Sequence, residues 1–306
     1  VPSLAYVNGR YLPARSAAVS IADRGYQFAD GVYEVVLVVN GRLLDADAHL
    51  DRLERSLDEL AIPMPMARRA LGCVMRRLVR INRITTGTLY LQVTRGAAPR
   101  EHAFPRRPPE PALTMTVKRY DLAALLAQQS SGVAAVTVPD QRWKRCDIKS
   151  TALIGNVLAK QAAREAGATE AWMVDAAGYI TEGASTTAWI VDGGGRLVTR
   201  ALGPEILPGI TRRVILELAE EAGWPVVERA FTPQEVLQTA EAFLASTTNW
   251  ITPVVRLDDR PIGNGEPGPV SRALIDRHCA HVKAETGLQL AEARGGSQAA
   301  FRRQSA

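Results

Sequence analysis

Cysteine is scarce in this 306-residue chain: Cys73, Cys146 and Cys279 lie far apart with no CxxC pair. That excludes a disulfide framework and a thiolate zinc site. Long hydrophobic runs are missing too. No stretch approaches the roughly 18 uninterrupted apolar residues of a membrane span, and the opening VPSLAYVNGRYLPARS lacks the apolar core of a signal peptide. A soluble, cytoplasmic protein in a reducing compartment is the expectation. Lysine is rare, with five among 37 basic residues, so each one merits attention. A net charge of +5 and a pI of about 9.3 raise the question of nucleic acid, but the basic residues are scattered. Arg106-Arg107 lies between prolines, and Arg294, Arg302 and Arg303 fall in a Gly/Ser/Gln/Ala-rich tail. Neither a nucleic-acid nor a membrane partner is expected, and no metal ligand set is visible; His278 and His281 share a helix face without a third ligand.

Hydrophobic residues at 46% and charged residues at 23% are ordinary globular usage, and 306 residues suffice for two cores. Asn8-Gly9 and Asn40-Gly41 each sit between β-forming residues and predict two hairpins. Leu50, Leu53, Leu57, Leu60 and Ile62 recur at helical spacing from Ala48 to near Pro63, and a second helix is read over Ala67–Asn82. Strands follow at Thr88–Thr94 and Ala112–Lys118. The polar run Gln128-Gln129-Ser130-Ser131-Gly132 reads as a connection, so the expected organisation is an α/β domain at 1–121, a linker at 122–132, a second α/β domain at 133–286 and a flexible tail at 287–306. In the second domain, helices are expected at Thr151–Ala166, Arg212–Ala222 and Val270–Glu285. Strands are expected at 133–138, 170–174, 185–191, 242–246 and 251–257.

Chemistry can be sought at three places. Lys149, in Arg145-Cys146-Asp147-Ile148-Lys149-Ser150, precedes the helix expected at Thr151; a lysine amine in such a loop can serve as a Schiff-base nucleophile if partly desolvated. Thr181-Glu182-Gly183-Ala184-Ser185-Thr186-Thr187 offers an acid followed by small residues that permit close approach of a ligand. Leu207-Pro208-Gly209-Ile210-Thr211-Arg212 runs a Gly-containing turn into a helix, whose first N–H groups suit phosphate, and Ser246-Thr247 could add hydroxyls. Neither phosphate candidate has the Walker or dinucleotide glycine pattern.

The residues Arg24-Gly25-Tyr26-Gln27-Phe28-Ala29-Asp30-Gly31-Val32-Tyr33-Glu34, His49-Leu50-Asp51-Arg52-Leu53, Asp147-Ile148-Lys149 and Thr181-Glu182-Gly183-Ala184-Ser185 resemble, in order and spacing, the fold-type IV pyridoxal-phosphate enzymes. The resemblance runs from about Tyr6 to about Thr286. It implies a smaller N-terminal α/β domain, a larger C-terminal mixed α/β domain of barrel-like form, and pyridoxal 5'-phosphate as cofactor. By the same resemblance Lys149 carries the cofactor and moves the substrate Cα proton, Glu182 pairs with the pyridine nitrogen, and Arg52 binds phosphate. Ser185, Thr186, Leu207, Gly209, Ile210, Thr211, Ser246 and Thr247 complete the cofactor site. Val93 to Pro105 resembles the D-amino-acid aminotransferase pattern, in which Tyr33, Arg100 and His102 hold the substrate carboxylate. The implied activity is amino transfer between D-amino acids, such as D-alanine or D-glutamate, and 2-oxo acids in a homodimer, in which the carboxylate-binding groups can come from either the same or the neighbouring subunit. Branched-chain L-aminotransferase, R-selective amine transaminase and aminodeoxychorismate lyase are the alternatives within the family. Thr187 and Ala184 depart from its pattern. His49 is expected to bond nearby backbone, and Cys146 to be a buried small hydrophobe.

Overall fold

A computed structural model describes residues 3–288; the tail expected from Gly287 lies, from residue 289 on, outside the described residues. The chain divides into two compact units. One holds the residues up to Asp121 together with Ile148–Ala152; the other holds Leu122–Asp147 and the residues from Leu153 onward.

The first unit opens with strands β1 (Leu4–Val7) and β2 (Arg10–Pro13), joined by Asn8-Gly9 with φ of 42° and 90°. These left-handed angles are what a two-residue hairpin turn with matching twist requires. A short helix α1 (Arg24–Phe28) follows, then strand β3 (Gly31–Val39) and strand β4 (Arg42–Leu43), linked through Asn40-Gly41. Helices α2 (Ala46–Glu59) and α3 (Arg68–Ile81) bury the stripes Leu50, Leu53, Leu57 and Leu71, Met75, Leu78, which the 3.6-residue period places on one face of each. Strands β5 (Gly87–Thr94) and β6 (Ala112–Arg119) complete an antiparallel sheet in the order β2-β1-β6-β5-β3-β4. The helical stripes pack with Val36, Val38, Leu89, Leu91 and Met115 from the sheet.

In the second unit the residues expected to form a linker are helical: α4 spans Leu122–Ser131. Leu122 and Leu125 are buried, and the Gln129 amide donates to the Ile251 carbonyl at 2.8 Å, so packing overrides the polar sequence. Strand β7 (Val133–Pro139) precedes helix α5 (Ile154–Glu165), which starts three residues later than expected. Lys149 therefore lies in an irregular stretch, with the Ser150 N–H donating to the Ile148 carbonyl across it at 2.8 Å, and not at the helix entrance. Strands β8 (Glu170–Val174), β9 (Ile180–Gly183), β10 (Thr187–Val191) and β11 (Leu197–Thr199) lead to helix α6 (Ile210–Glu221). The strand expected at 185–191 begins two residues later, at Thr187, because Ala184–Thr186 form the bend that joins β9 to β10. Strand β12 (Val226–Glu228), helix α7 (Pro233–Val236), strands β13 (Glu241–Ser246), β14 (Trp250–Leu257) and β15 (Arg260–Pro261), and helix α8 (Pro269–Thr286) follow. The mixed sheet runs β12-β11-β10-β13-β14-β7-β8-β9, with β15 on β14. Its core includes Trp172, Phe231, Leu244 and Ile190.

Candidate functional site

In the first unit, Lys149 is fixed through its backbone. Tyr33 N–H donates to the Lys149 carbonyl at 3.0 Å, Thr151 N–H donates to Gly31 O at 3.0 Å, and Ser150 forms a bridge with Val32 on β3. Ile148, just before the lysine, is buried in that unit's core. The Lys149 N–H donates to Ser56 Oγ on α2 at 3.3 Å, and Arg52 lies one helical turn before Ser56 on the same face. The half-buried Lys149 side chain places Nζ 4.3 Å from the centroid of the Tyr33 ring, a cation–π contact, and Tyr33 stacks on Tyr90 at 5.7 Å.

Arg52 is buried and held from below by Glu34 of β3, with Nε 2.7 Å from Oε1 and Nη2 2.8 Å from Oε2. This fork fixes the guanidinium plane. His49 Nδ1 lies 2.7 Å from Glu34 Oε2, so its partner is this carboxylate and not the nearby backbone the sequence suggests. Burial on its own would push the Glu34 carboxyl up. The Arg52 charge and the hydrogen bonds from Arg52 and His49 outweigh it and hold the group at about 2. Burial pushes the His49 imidazole below its ordinary value despite the opposing pull of Glu34, so it is neutral at pH 7 and donates to the carboxylate.

Arg100 and His102 sit on an exposed loop of the same unit and gather around Phe28: the Arg100 guanidinium carbon is 5.1 Å from that ring's centroid and the His102 ring 5.3 Å from it.

In the second unit, Glu182 occupies buried strand β9, where the sequence would have allowed a polar turn. Its Oε1 accepts from Arg142 Nη1, and its Oε2 from the Leu207 N–H at 3.3 Å. Arg142 is in turn clasped by Asp140, with Nε to Oδ1 at 2.9 Å and Nη2 to Oδ2 at 2.7 Å. Burial of Asp140 would raise its carboxyl, but the bonds from Arg142 and Thr181 dominate and keep it low. Charge around Glu182 is thereby locally balanced by a guanidinium that the sequence gave no reason to single out.

Three segments then converge. Thr187 pairs with Ala245 in the β10–β13 ladder, which sets the turn carrying Ser185 and Thr186 beside the end of β13, where Ser246 and Thr247 emerge. A Cβ on Gly209 would stand 3.1 Å from Thr187 Oγ1, so the start of α6 packs against the same turn. Gly209 is the N-cap of α6 and offers no side chain to its first turn, whose leading N–H groups have no acceptor within the helix. The Thr186 hydroxyl is buried with no hydrogen-bond partner. A buried orphan donor next to an uncapped helix start suits a phosphate, so these residues fit the phosphate of pyridoxal phosphate. Ser185 is engaged otherwise: its Oγ donates to Glu170 Oε2 at 3.0 Å, and Glu170, fully buried, also accepts from Lys160 at 2.8 Å.

Glu34, Arg142 and Glu170 were not identified as functional residues from the sequence, because each acts on a candidate residue remote in the chain. Cys146 is buried as expected; its thiol donates to Trp143 O, and burial pushes its pKa up to about 12.

Residues 31–257 match the family Amino-transferase class IV. The D-alanine aminotransferase of Bacillus licheniformis is 41% identical over 267 residues, covering 87% of this chain and 92% of that protein. That of Staphylococcus haemolyticus is 38% identical over 281 residues, covering 92% and 98%. Among solved structures, the Escherichia coli branched-chain amino acid aminotransferase superposes with a TM-score of 0.83 at 22% identity, covering 92% of this chain and 94% of that one. A hypothetical aminotransferase from Mycobacterium tuberculosis, in a PLP-bound form, gives 0.78 at 23%, covering 92% and 99%. The fold is thus the one expected, and the chain belongs to the class IV aminotransferases, which are pyridoxal-phosphate-dependent enzymes.

Proposed function

We propose that the protein transfers amino groups between D-amino acids, D-alanine among them, and 2-oxo acids. The observation that carries this reading is identity of about 40% to D-alanine aminotransferases over nearly nine-tenths of the chain. The Lys149–Tyr33 contact and the Arg100/His102 loop supply groups of the chemistry that reaction needs.

Bound pyridoxal phosphate supplies an electron sink for the charge left at the substrate Cα when its proton departs. The Lys149 amine would take that proton from Cα as a general base and then, as a general acid, deliver it to the cofactor carbon C4′ rather than back to Cα. Glu182, paired with Arg142, would hold a proton at the pyridine nitrogen. The Thr186 hydroxyl, the N–H groups of Ile210 and Thr211, and Ser246 and Thr247 take the phosphate, while Arg52, aligned by Glu34, adds a charge matched to it. Ser185, its hydroxyl proton committed to Glu170, offers the cofactor an acceptor. Tyr33, Arg100 and His102 bind the α-carboxylate, and fixing that group decides which hydrogen of Cα faces Lys149.

The working unit in this reading is a cytoplasmic homodimer. The segment bearing α1 leaves Ile21 82% and Tyr26 74% exposed, and α5 exposes Ile154, Val157 and Leu158 on one face; these apolar surfaces suit a second copy of the chain. Three free cysteines agree with a reducing compartment, and no helix among the described residues is long and apolar enough to cross a membrane.

The test is the visible absorbance of the purified protein on adding D-alanine, L-alanine or L-leucine. Conversion with D-alanine alone supports the reading. Conversion with L-leucine instead overturns the stereochemical claim, and a Lys149→Ala variant that still turns over overturns the assignment of the lysine.

A further inference from the structure

We propose that Arg24 is a positioning residue for substrate carboxylate binding, acting through the loop that carries Arg100 and His102. This rests on the reading of those two residues as the carboxylate site. Arg24 is only 2% exposed, and its guanidinium is spent on three acceptors. Nε donates to Asp30 Oδ2 at 2.7 Å, Nη1 to the Glu101 carbonyl at 2.5 Å and Nη2 to the His102 carbonyl at 3.2 Å. Two consecutive peptide carbonyls are therefore gripped by one rigid fork, one on His102 itself and one on the residue between His102 and Arg100.

The rest of the local frame serves the same grip. Arg24 N–H donates to Gly96 O at 3.0 Å, Ala98 N–H to Ala22 O at 3.2 Å, and Asp23 bridges Ala97, so the root of the loop is laced to the segment preceding α1. Beyond Ala98 the loop has no regular structure and residues 99–104 are exposed. Phe28, on the same helix as Arg24, lies between the two arginines, 4.9 Å from the Arg24 guanidinium and 5.1 Å from that of Arg100. Asp30 is shared: Arg95 donates to it at 2.8 and 3.0 Å, so two guanidinium charges face one carboxylate. Burying a guanidinium is costly unless its donors are satisfied, so the carbonyls of Glu101 and His102 cannot leave without stranding that charge. The loop is held in one arrangement before substrate arrives, and preorganisation of this kind is expressed as affinity.

The experiment compares wild type, Arg24→Lys, Arg100→Gln and the double variant in steady-state transamination of D-alanine, with cofactor retention read by absorbance and the loop probed by trypsin cleavage after Arg100. Lysine keeps the charge but cannot span Asp30 and two carbonyls. Arg24→Lys should raise the KM for D-alanine and for the 2-oxo acid about tenfold, as loss of charge-assisted hydrogen bonds implies, with kcat within about threefold. It should speed cleavage after Arg100 and leave cofactor retention unchanged. In the Arg100→Gln background the same change should have little further effect on KM, because both act through one contact. Equal KM effects in both backgrounds, a fall in kcat with KM unchanged, or unaltered trypsin cleavage would each overturn the proposal. If Arg100→Gln leaves KM unchanged, the carboxylate reading itself fails, which is a separate outcome.

Discussion

Replacing Glu34 with glutamine tests whether one buried carboxylate organises the cluster it forms with Arg52 and His49 in the first unit. The folded value of about 2 against an ordinary 4.5 corresponds to roughly 3 kcal/mol of stability at neutral pH. Glutamine preserves shape but removes the carboxylate charge that the buried Arg52 forks onto, and breaking a buried pair typically costs about 3–5 kcal/mol, so the two routes to the magnitude agree. Because the folded pKa lies below the unfolded one, this contribution is complete above about 4.5 and disappears as pH falls toward 2. The neighbouring imidazole behaves in the same sense: His49 is depressed from 6.5, so the unfolded chain takes up a proton first and stability declines as pH drops below that value. Urea unfolding followed by far-UV circular dichroism at pH 7.5, 5.5 and 4, at equal protein concentration, should show Glu34→Gln less stable by about 3 kcal/mol at pH 7.5. The gap to wild type should narrow once pH falls below about 4.5. A variant within about 0.5 kcal/mol of wild type at pH 7.5, the range of a neutral surface substitution, would refute the argument, as would a gap that does not change with pH.

Thr186→Val removes a hydroxyl with no protein partner at nearly constant shape. It should leave the melting temperature without added cofactor unchanged or higher while weakening pyridoxal phosphate binding about tenfold, the loss of one hydrogen bond to a charged group. Gly183→Ala puts a methyl against the Thr186 side chain and backbone; thermal melting should record a loss of about 1–3 kcal/mol, typical of overpacking, together with poorer cofactor retention. Titration with a thiol reagent should modify Cys73 alone in the folded protein and all three cysteines after unfolding, since Cys73 is exposed, Cys146 and Cys279 are buried, and burial keeps Cys146 protonated up to about pH 12.

Elements with a strong local signal were legible in the sequence. The leucine stripe of α2 and the two Asn-Gly turns declare their structure within a few residues, because periodicity and left-handed backbone preference are local properties. Helix α4 was not legible: its polar second half reads as a connection until Gln129 finds the Ile251 carbonyl across the fold. Strand β9 carries a carboxylate inward, which alternation forbids unless a partner such as Arg142 is in place. Of the candidate site residues, Lys149, Glu182 and Arg52 were singled out through resemblance. The groups that orient them are separated from them by 15 residues or more in most cases, Glu34 from Arg52 by 18 and Arg142 from Glu182 by 40, so sequence spacing could not reveal them.

The placement of Ile148–Ala152 within the first unit has a consequence for synthesis. The chain leaves that unit at Asp121 and returns only for these five residues, one of which, Ile148, fills its core and another, Ser150, bridges β3. A nascent chain that has just emerged to Asp121 therefore has an incomplete apolar core and an unpaired stretch of β3 near Val32. At about 5–20 residues per second the gap lasts a few seconds, long relative to hydrophobic collapse. The segment that closes it is the one bearing Lys149, so this lysine and the last piece of the first core reach their places in the same event.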